Sequence, residues 1–272
     1  MVRALTMTKI VGIVLVKNED IFITLAIRNI LAFCDEIIVA DNFSTDGTWA
    51  QLEQLAAANR KIMLLRIRNA KQSHRLLEGY AGKDVFVFGV DGDEIYDPAG
   101  LARMRGRILD GAYDNRWCLY GHALHCTDVD VDAGLATGFQ TPEARSMTKL
   151  YNFGLLKSWD EPHQQRLHGH AMEFHDGHSV KDSLRSFQRQ PWDQSPYRCL
   201  HMCFVPRSTE SGETLGLGAR KNISELNTQR DLGAGWKVQH YAVGAPVTRA
   251  LSPFLVNSTA EELASIRTAL GR

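Results

Sequence analysis

The chain has 272 residues, enough for one large α/β domain or two small ones. Its 31 basic and 31 acidic side chains cancel, which excludes the basic excess of a nucleic-acid binder, so any anion site must be built locally. Five cysteines (Cys34, Cys118, Cys126, Cys199 and Cys203) are too few and too odd in number for a dense disulfide framework and point to a reducing compartment. No apolar run approaches the roughly 18 residues of a membrane span.

In chain order, KIVGIVLV (Lys9–Val16) is a short, continuous, Val- and Ile-rich run, as expected of a strand covered on both faces. Its apolar residues lead straight into the polar KNED, so a core strand fits the N-terminus better than a secretory signal. IFITLAIRNILAFC has helical spacing, with Asn18 or Asp20 near its start. A second strand follows at DEIIVADN, then the polar turn FSTDGT and a helix at WAQLEQLAAA. KIMLLRI predicts a third strand, KQSHRLLEGYA a short helix and KDVFVFGV a fourth strand. PAGLARMRGRILDG predicts a helix opening at Pro98 and closing before Gly111.

Strand and helix therefore alternate through the first part of the chain, which implies a mostly parallel sheet with helices on both faces. In open sheets of this kind ligands sit outside the C-terminal strand ends. The polar motifs KNED, DNFSTDGT, NAKQSH and DGDE all fall there.

The remainder is less regular. RWCLYGHALHC and SMTKLYNF have the pattern of strands, with TDVDVDAGLATGFQTPEA between them as an excursion or flap. YRCLHMCFVP predicts another strand, and GARKNISELNTQRD and TAEELASIRTAL predict helices.

The acidic cluster in FVFGVDGDEIYDP carries the chemistry. Asp91 and Asp93 flank Gly92, and residues i and i+2 of extended chain point the same way. Clustered carboxylates at a strand end suit a hard divalent cation such as Mg²⁺ or Mn²⁺. Gly92 leaves room for a ligand between them. A solvated acidic turn is the plainer alternative. Asp97 before Pro98 reads as a helix N-cap, and Glu94 stays unassigned.

Three ordered motifs, VKNED, VADNFSTDGT and VFGVDGDE, resemble those of the family 2 glycosyltransferases of the GT-A fold. The resemblance covers the first 110 or so residues best. It implies a Rossmann-like, mostly parallel central sheet, with residues 1–112 as the nucleotide-sugar-binding half and 113–272 as a less regular acceptor-binding half of the same domain. It implies transfer of a sugar, from a UDP-linked donor first, to an acceptor hydroxyl, with inversion and with Mn²⁺ or Mg²⁺. Asn18, Glu19, Asp41, Asp46, Lys71, Asp91, Gly92, Arg207 and Lys221 would bind the nucleotide sugar. Asp93 and His201 would hold the metal. The region SWDEPHQQRLHGH would supply the base. Where bacterial relatives carry a His-Glu pair this chain has His163-Gln164, and Gln cannot act as a base, so Asp160, Glu161 and His163 become the candidates. The run His168, His170, His175 and His178 reads as a polar loop.

The acceptor would be a glycan, a lipid-linked intermediate or a small molecule, and the enzyme cytoplasmic, at the inner membrane face if the acceptor is lipid-linked. Two rivals are a sugar-nucleotide nucleotidyltransferase, whose Gly-rich basic loop VKNED lacks, and a non-catalytic sugar-nucleotide-binding protein.

Overall fold

The computed structural model describes residues 8–69, 72–145, 149–159, 172–210 and 239–271. The first strand, β1 (Lys9–Val16), lies between β2 (Glu36–Asp41) and β4 (Val85–Asp91), parallel to both, and β3 (Ile62–Arg66) continues the sheet beyond β2. Past β4 come β9 (Lys149–Asn152), antiparallel, then β6 (Cys118–Tyr120) and β12 (Ser183–Arg185), giving a seven-stranded, mostly parallel sheet, while β10 (Leu156–Trp159) and β11 (Met172–Phe174) form a separate antiparallel pair.

β1 is apolar on both faces because both are covered. Ile10, Val14 and Val16 join the cluster under α1 (Ile23–Ile30) and α4 (Pro98–Leu109), while Val11 and Ile13 join a second cluster with Val87, Trp117, Phe153 and Trp159. On the first side Phe33, Phe88, Tyr96 and Tyr197 pack as a run of aromatic rings, with Phe88 4.7 Å from Tyr96 and 5.2 Å from Phe33. Such edge-on contacts favour one arrangement over a merely greasy core.

A second, five-stranded sheet has the order β14 (Val247–Ala250), β8 (Leu135–Gln140), β7 (His122–Asp130), β13 (Arg198–His201), β5 (Glu94–Tyr96). It begins immediately after the acidic turn. α1 is wedged between the sheets: Ile23, Ile27 and Ile30 face the first core, and Phe22, Leu25 and Ala26 the second. The second core is closed by Phe254 and by Ile266 of the last helix, α5 (Ala260–Ala269). Asn29 ties the layers together, donating to the carbonyls of Tyr96 (2.8 Å) and Phe254 (2.7 Å).

Three sequence expectations are corrected. RWCLYGHALHC is two strands, because the chain leaves the large sheet at Gly121 and enters the small one. The segment read as a flap is the β7–β8 hairpin, closed by Asp130 accepting from the N–H groups of Asp132 and Ala133 and by Gly134 at φ 68°. Among its described residues KQSHRLLEGYA holds only α3 (Gln72–Arg75) and a 3-10 turn at Glu78–Tyr80. The first and fourth strands, the helix from Pro98 and the C-terminal helix agree with expectation, as does α2 (Thr48–Ala58). The helix expected at GARKNISELNTQRD lies outside the described residues.

No helix among the described residues is long and apolar enough to cross a membrane.

Candidate active site

Strand order reverses at β1: β2 and β3 extend to one side and β4 to the other. The crevice outside the carboxyl ends of such neighbouring strands is where open α/β sheets bind ligands. Val16 and Asp41 end β1 and β2 side by side, and Leu15 is in register with Asp91 at the end of β4. Glu19, Asp41, Asp91 and Asp93 are all buried there.

The β1 and β2 ends are interlocked. Asn18 adopts φ 51°, a left-handed conformation that asparagine tolerates. Its N–H donates to Ser44 Oγ (2.9 Å), and its side-chain oxygen accepts from Thr45 N–H (2.9 Å). The N–H of Glu19 donates to Thr48 Oγ1 at 2.7 Å. Asp41 accepts from Ser44 N–H at 3.1 Å and lies 3.6 Å from Arg66, whose guanidinium sits 4.0 Å over the Trp49 ring. Asp46 is half-buried: one carboxylate oxygen accepts from Thr48 N–H (2.9 Å), the other from Ser208 Oγ (2.6 Å). Sequence reading assigns Asp41 and Asp46 to ligand; in the structure they also hold their own turn.

The acidic turn at the end of β4 is organised by Glu94. Its Oε2 accepts from Asp91 N–H (3.1 Å) and Tyr96 O–H (3.0 Å). Burial pushes the Glu94 carboxyl up to about 8; the buried Lys149 ammonium opposes this and Asp93 adds to it. Burial likewise pushes Lys149 below its ordinary value. Gly92 is required here by packing. A Cβ would collide with Glu19 Oε2 and press on Ile23 Cδ1 and Val16 Cγ2, each 3.0 Å away.

β13 brings the remaining groups. His201 pairs in register with Glu94 on one side and His125 on the other, and Met202 N–H donates to the Asp93 carbonyl at 2.9 Å. His201 Nε2 lies 3.7 Å from Asp93 Oδ2. Beyond it the chain turns back over the strand ends. Arg207, buried, donates through Nη1 to Asp93 Oδ2 in a close ion pair, and the same nitrogen is 3.8 Å from Glu19. Burial opposes its charge, but the carboxylates of Asp93 and Glu19 outweigh burial and hold its pKa above the ordinary arginine value. Arg207 Nη2 is buried with no hydrogen-bond partner among the described residues. Asp20 accepts from Thr209 N–H (2.8 Å) and Oγ1, and Thr45 Oγ1 donates to Glu210 (2.9 Å), which clasps this strap to the β1 and β2 loops.

Of the residues singled out in the sequence, Asn18, Glu19, Asp41, Asp46, Asp91, Gly92, Asp93, His201 and Arg207 therefore meet at one set of strand ends. Lys71, Lys221, Asp160, Glu161, His163 and Gln164 lie outside the described residues. Sequence reading missed Asp20 as a clasp, Glu94 as the anchor of the acidic turn, and Arg66 and His125 altogether. Arg66 carries a weak signal, since it stands at the end of a predicted strand.

A divalent cation fits the donors present. Asp91, Asp93 and His201 each offer one ligand atom, all within 4.8 Å of one another. Two carboxylates and an imidazole make a suitable set for a hard-to-borderline ion.

The sequence model of glycosyl transferase family 2 matches residues 13–167. No curated protein sequence matches the chain. Among solved structures, glucosyl-3-phosphoglycerate synthase from Mycobacterium tuberculosis in complex with Mn²⁺, UDP-glucose and glycerol 3-phosphate aligns at 16% identity and TM-score 0.46, covering 88% of this chain and 82% of that one. In a complex of that synthase with phosphoglyceric acid, the alignment reaches 20% identity and TM-score 0.38 but covers only 55% of this chain and 58% of the other. A mannosyltransferase from Pyrobaculum calidifontis in complex with GDP-Man and Mn²⁺ aligns at 16% identity and TM-score 0.42, covering 97% of this chain and 74% of that one. Identities and scores in this range leave the assignment to the family match, which spans more than half of the chain and includes all three strand-end motifs. The mixed α/β fold with its large, mostly parallel sheet accords with the GT-A expectation, and the chain belongs to glycosyl transferase family 2.

Proposed function

We propose that this glycosyltransferase moves a sugar from a nucleoside-diphosphate donor, UDP-linked in the first instance, to an acceptor hydroxyl with inversion. The observation that carries the proposal is the convergence of Glu19, Asp41, Asp91, Asp93, His201 and Arg207 on one crevice at the ends of β1, β2, β4 and β13. Asp41, backed by Arg66 and close to Asn18, binds the base or ribose through its carboxylate. Asp91 accepts from ribose or sugar hydroxyls. Lys71 and Lys221 are assigned to the phosphates.

Asp93 and His201 hold the cation, with Asp91 in reach. One imidazole among carboxylates favours Mn²⁺ over Mg²⁺, which prefers an all-oxygen shell. When bound, the ion supplies positive charge to the diphosphate leaving group. Arg207 adds to this: a buried guanidinium nitrogen without a partner is an open donor for a phosphate oxygen. In the displacement, the acceptor oxygen bonds to the anomeric carbon while the bond from that carbon to the phosphate oxygen breaks. The electron pair leaves with the diphosphate and the acceptor proton passes to a base drawn from Asp160, Glu161 or His163. The acceptor is a glycan, a lipid-linked intermediate or a small molecule, and the setting cytoplasmic.

The test is nucleotide release from UDP-, GDP- and dTDP-sugars, with Mn²⁺, with Mg²⁺ and with chelator, in the presence of mixed acceptors. The expected result is cation-dependent release from at least one donor, highest with Mn²⁺. Pyrophosphate release from a nucleoside triphosphate and a sugar phosphate would overturn the reading in favour of nucleotidyl transfer. Donor binding without turnover for any mixture would make the chain a binding protein.

A further inference from the structure

His125 lies behind His201, on the side away from Asp93. The two strands are parallel and in register, and the rings meet through Nδ1 of each at 2.8 Å. His125 Nε2 is 2.8 Å from the backbone oxygen of Arg145. Tyr241 stacks on the His125 ring at 4.4 Å and 8°, and meets His201 edge-on at 5.7 Å. Cys203 Sγ is 3.9 Å from His125 Nδ1.

The proton positions follow from the acceptor at the end of this chain. A carbonyl oxygen only accepts, so His125 Nε2 carries the hydrogen. In the neutral ring Nδ1 is then an acceptor. His201 must therefore donate from its own Nδ1, which leaves its Nε2 as a lone pair. That nitrogen is the one 3.7 Å from Asp93. The arrangement has the form of an imidazole ligand whose other N–H is held by an outer partner. We infer that His125 is a positioning residue: together with the Arg145 carbonyl it fixes His201 in the Nδ1–H tautomer and aims Nε2 at the cation site. The inference rests on the reading of Asp93 and His201 as cation ligands.

Two variants isolate the role. His125→Phe keeps a ring against Tyr241 but removes the acceptor. His125→Asn puts a carbonyl oxygen near the place of Nδ1 and can restore it. Long-range ¹⁵N–¹H spectra of the metal-free parent, at a pH where both rings are neutral, should show His201 protonated on Nδ1. In His125→Phe that signature should give way to a mixture or to the other tautomer, and Mn²⁺ affinity, read by titration calorimetry, should fall roughly 10–100-fold. His125→Asn should recover the tautomer and most of the affinity.

His201 protonated on Nε2 in the parent would overturn the inference, even if His125→Phe fails to fold. So would equal Mn²⁺ affinity in the parent and both variants. No Mn²⁺ uptake by a folded parent would overturn the cation reading itself and this inference with it. Co²⁺ bound with a thiolate charge-transfer band that Cys203→Ala abolishes would place the ion on the other side of His201 and refute the tautomer argument.

Discussion

Removing the guanidinium of Arg207 probes the charge balance of the site most directly. Arg207 is the buried cation paired with Asp93, with Glu19 close by, and all three are almost fully excluded from water. Truncating one partner of a buried ion pair leaves the other charge uncompensated, at a cost of about 3–5 kcal/mol. The lower end applies here, because Arg207 sits on a strap at the edge of the strand ends, where water can enter the vacated space. Arg207→Met is therefore expected to lose about 3 kcal/mol in chelator. At about 2–4 °C per kcal/mol for a chain of this size, the melting temperature should drop by roughly 6–12 °C.

Mn²⁺ should repair most of that loss. A cation at the Asp91, Asp93 and His201 donors neutralises the same carboxylate that Arg207 neutralises in its absence. With Mn²⁺ in large excess the gap changes by RT ln of the ratio of the two Kd values, so binding about 30-fold tighter to the variant, whose carboxylates are uncompensated beforehand, narrows it by about 2 kcal/mol. The gap in stability, measured by urea unfolding with and without Mn²⁺, should shrink from about 3 to about 1 kcal/mol. Turnover should stay low even then, since the donor for the leaving diphosphate is gone. Equal stability of the two proteins in chelator, or a gap that Mn²⁺ leaves unchanged, would refute the reasoning.

Three further outcomes are expected. Asp97 caps α4 by accepting from Gly100 N–H at 3.0 Å, and it also pairs with buried Arg198 at 3.0 Å; Asp97→Ala should cost about 3 kcal/mol rather than the roughly 1 kcal/mol of a cap alone, and urea unfolding of Asp97→Asn, which keeps a capping oxygen, separates the two contributions. Gly92→Ala should destabilise by about 1–3 kcal/mol through overpacking against Glu19, Ile23 and Val16, and should weaken Mn²⁺ binding by displacing the acidic turn; parental affinity in calorimetry would contradict this. Burial alone would raise the Asp35 carboxyl, but hydrogen bonds from Arg105 and from Ile10 N–H outweigh it and hold it below 3.8. Its contribution is present above that value and is lost as pH falls through the folded-state pKa. Asp35→Asn should thus cost about 1 kcal/mol at neutral pH, discounted for partial exposure, and the difference from the parent should vanish in unfolding curves taken in strong acid.

The first half of the fold was legible because each strand is an apolar run ended by a polar motif, and because α4 carries both its start and its stop signal in sequence. β1 is the clearest case: a run apolar at every position from Ile10 to Val16 except Gly12 can only be covered on both faces. The second sheet was less legible because its order depends on pairings between distant segments. Nothing local tells that Gly121 divides two strands belonging to different sheets, or that β13 inserts between β5 and β7. The hairpin at Asp130–Gly134 did carry a turn signal, the Asp side chain and the left-handed glycine, which a flap reading passes over. The helix expected at KQSHRLLEGYA has its apolar spacing, but the α-helix stops at Arg75 and the chain continues through a 3-10 turn at Glu78–Tyr80 to Gly82 at φ 73°, which precludes a longer helix.

The same division runs through the site. Asp41, Asp91 and Asp93 were legible because a carboxylate at the end of a buried strand needs a partner, and three strand ends in a row direct them to one place. What each carboxylate touches was not legible. Four acids, Glu19, Asp91, Asp93 and Glu94, are buried around the turn, and the groups set against them come from elsewhere in the chain: the Lys149 ammonium from β9, the His201 imidazole from the end of β13 and the Arg207 guanidinium from the strap that follows. β13 is thus the element on which the crevice depends. It enters the small sheet between β5 and β7, so His201 arrives already flanked by Glu94 and His125, and the chain then has only a short loop in which to turn Arg207 back onto Asp93. The strap is held by Ser208 on Asp46, Thr209 on Asp20 and Glu210 on Thr45, so its grip falls on the two loops that end β1 and β2. A change that frees those three contacts leaves the bond from Ile21 N–H to the Arg207 carbonyl (3.2 Å) in place, but would loosen Arg207 on Asp93 without touching β13 or His201. Separating the two charges in this way, with Asp20→Asn as the mildest step, should loosen the arginine and leave Mn²⁺ affinity equal or higher; a loss of Mn²⁺ binding in that variant would mean that the strap, and not β13, holds Asp93 in place.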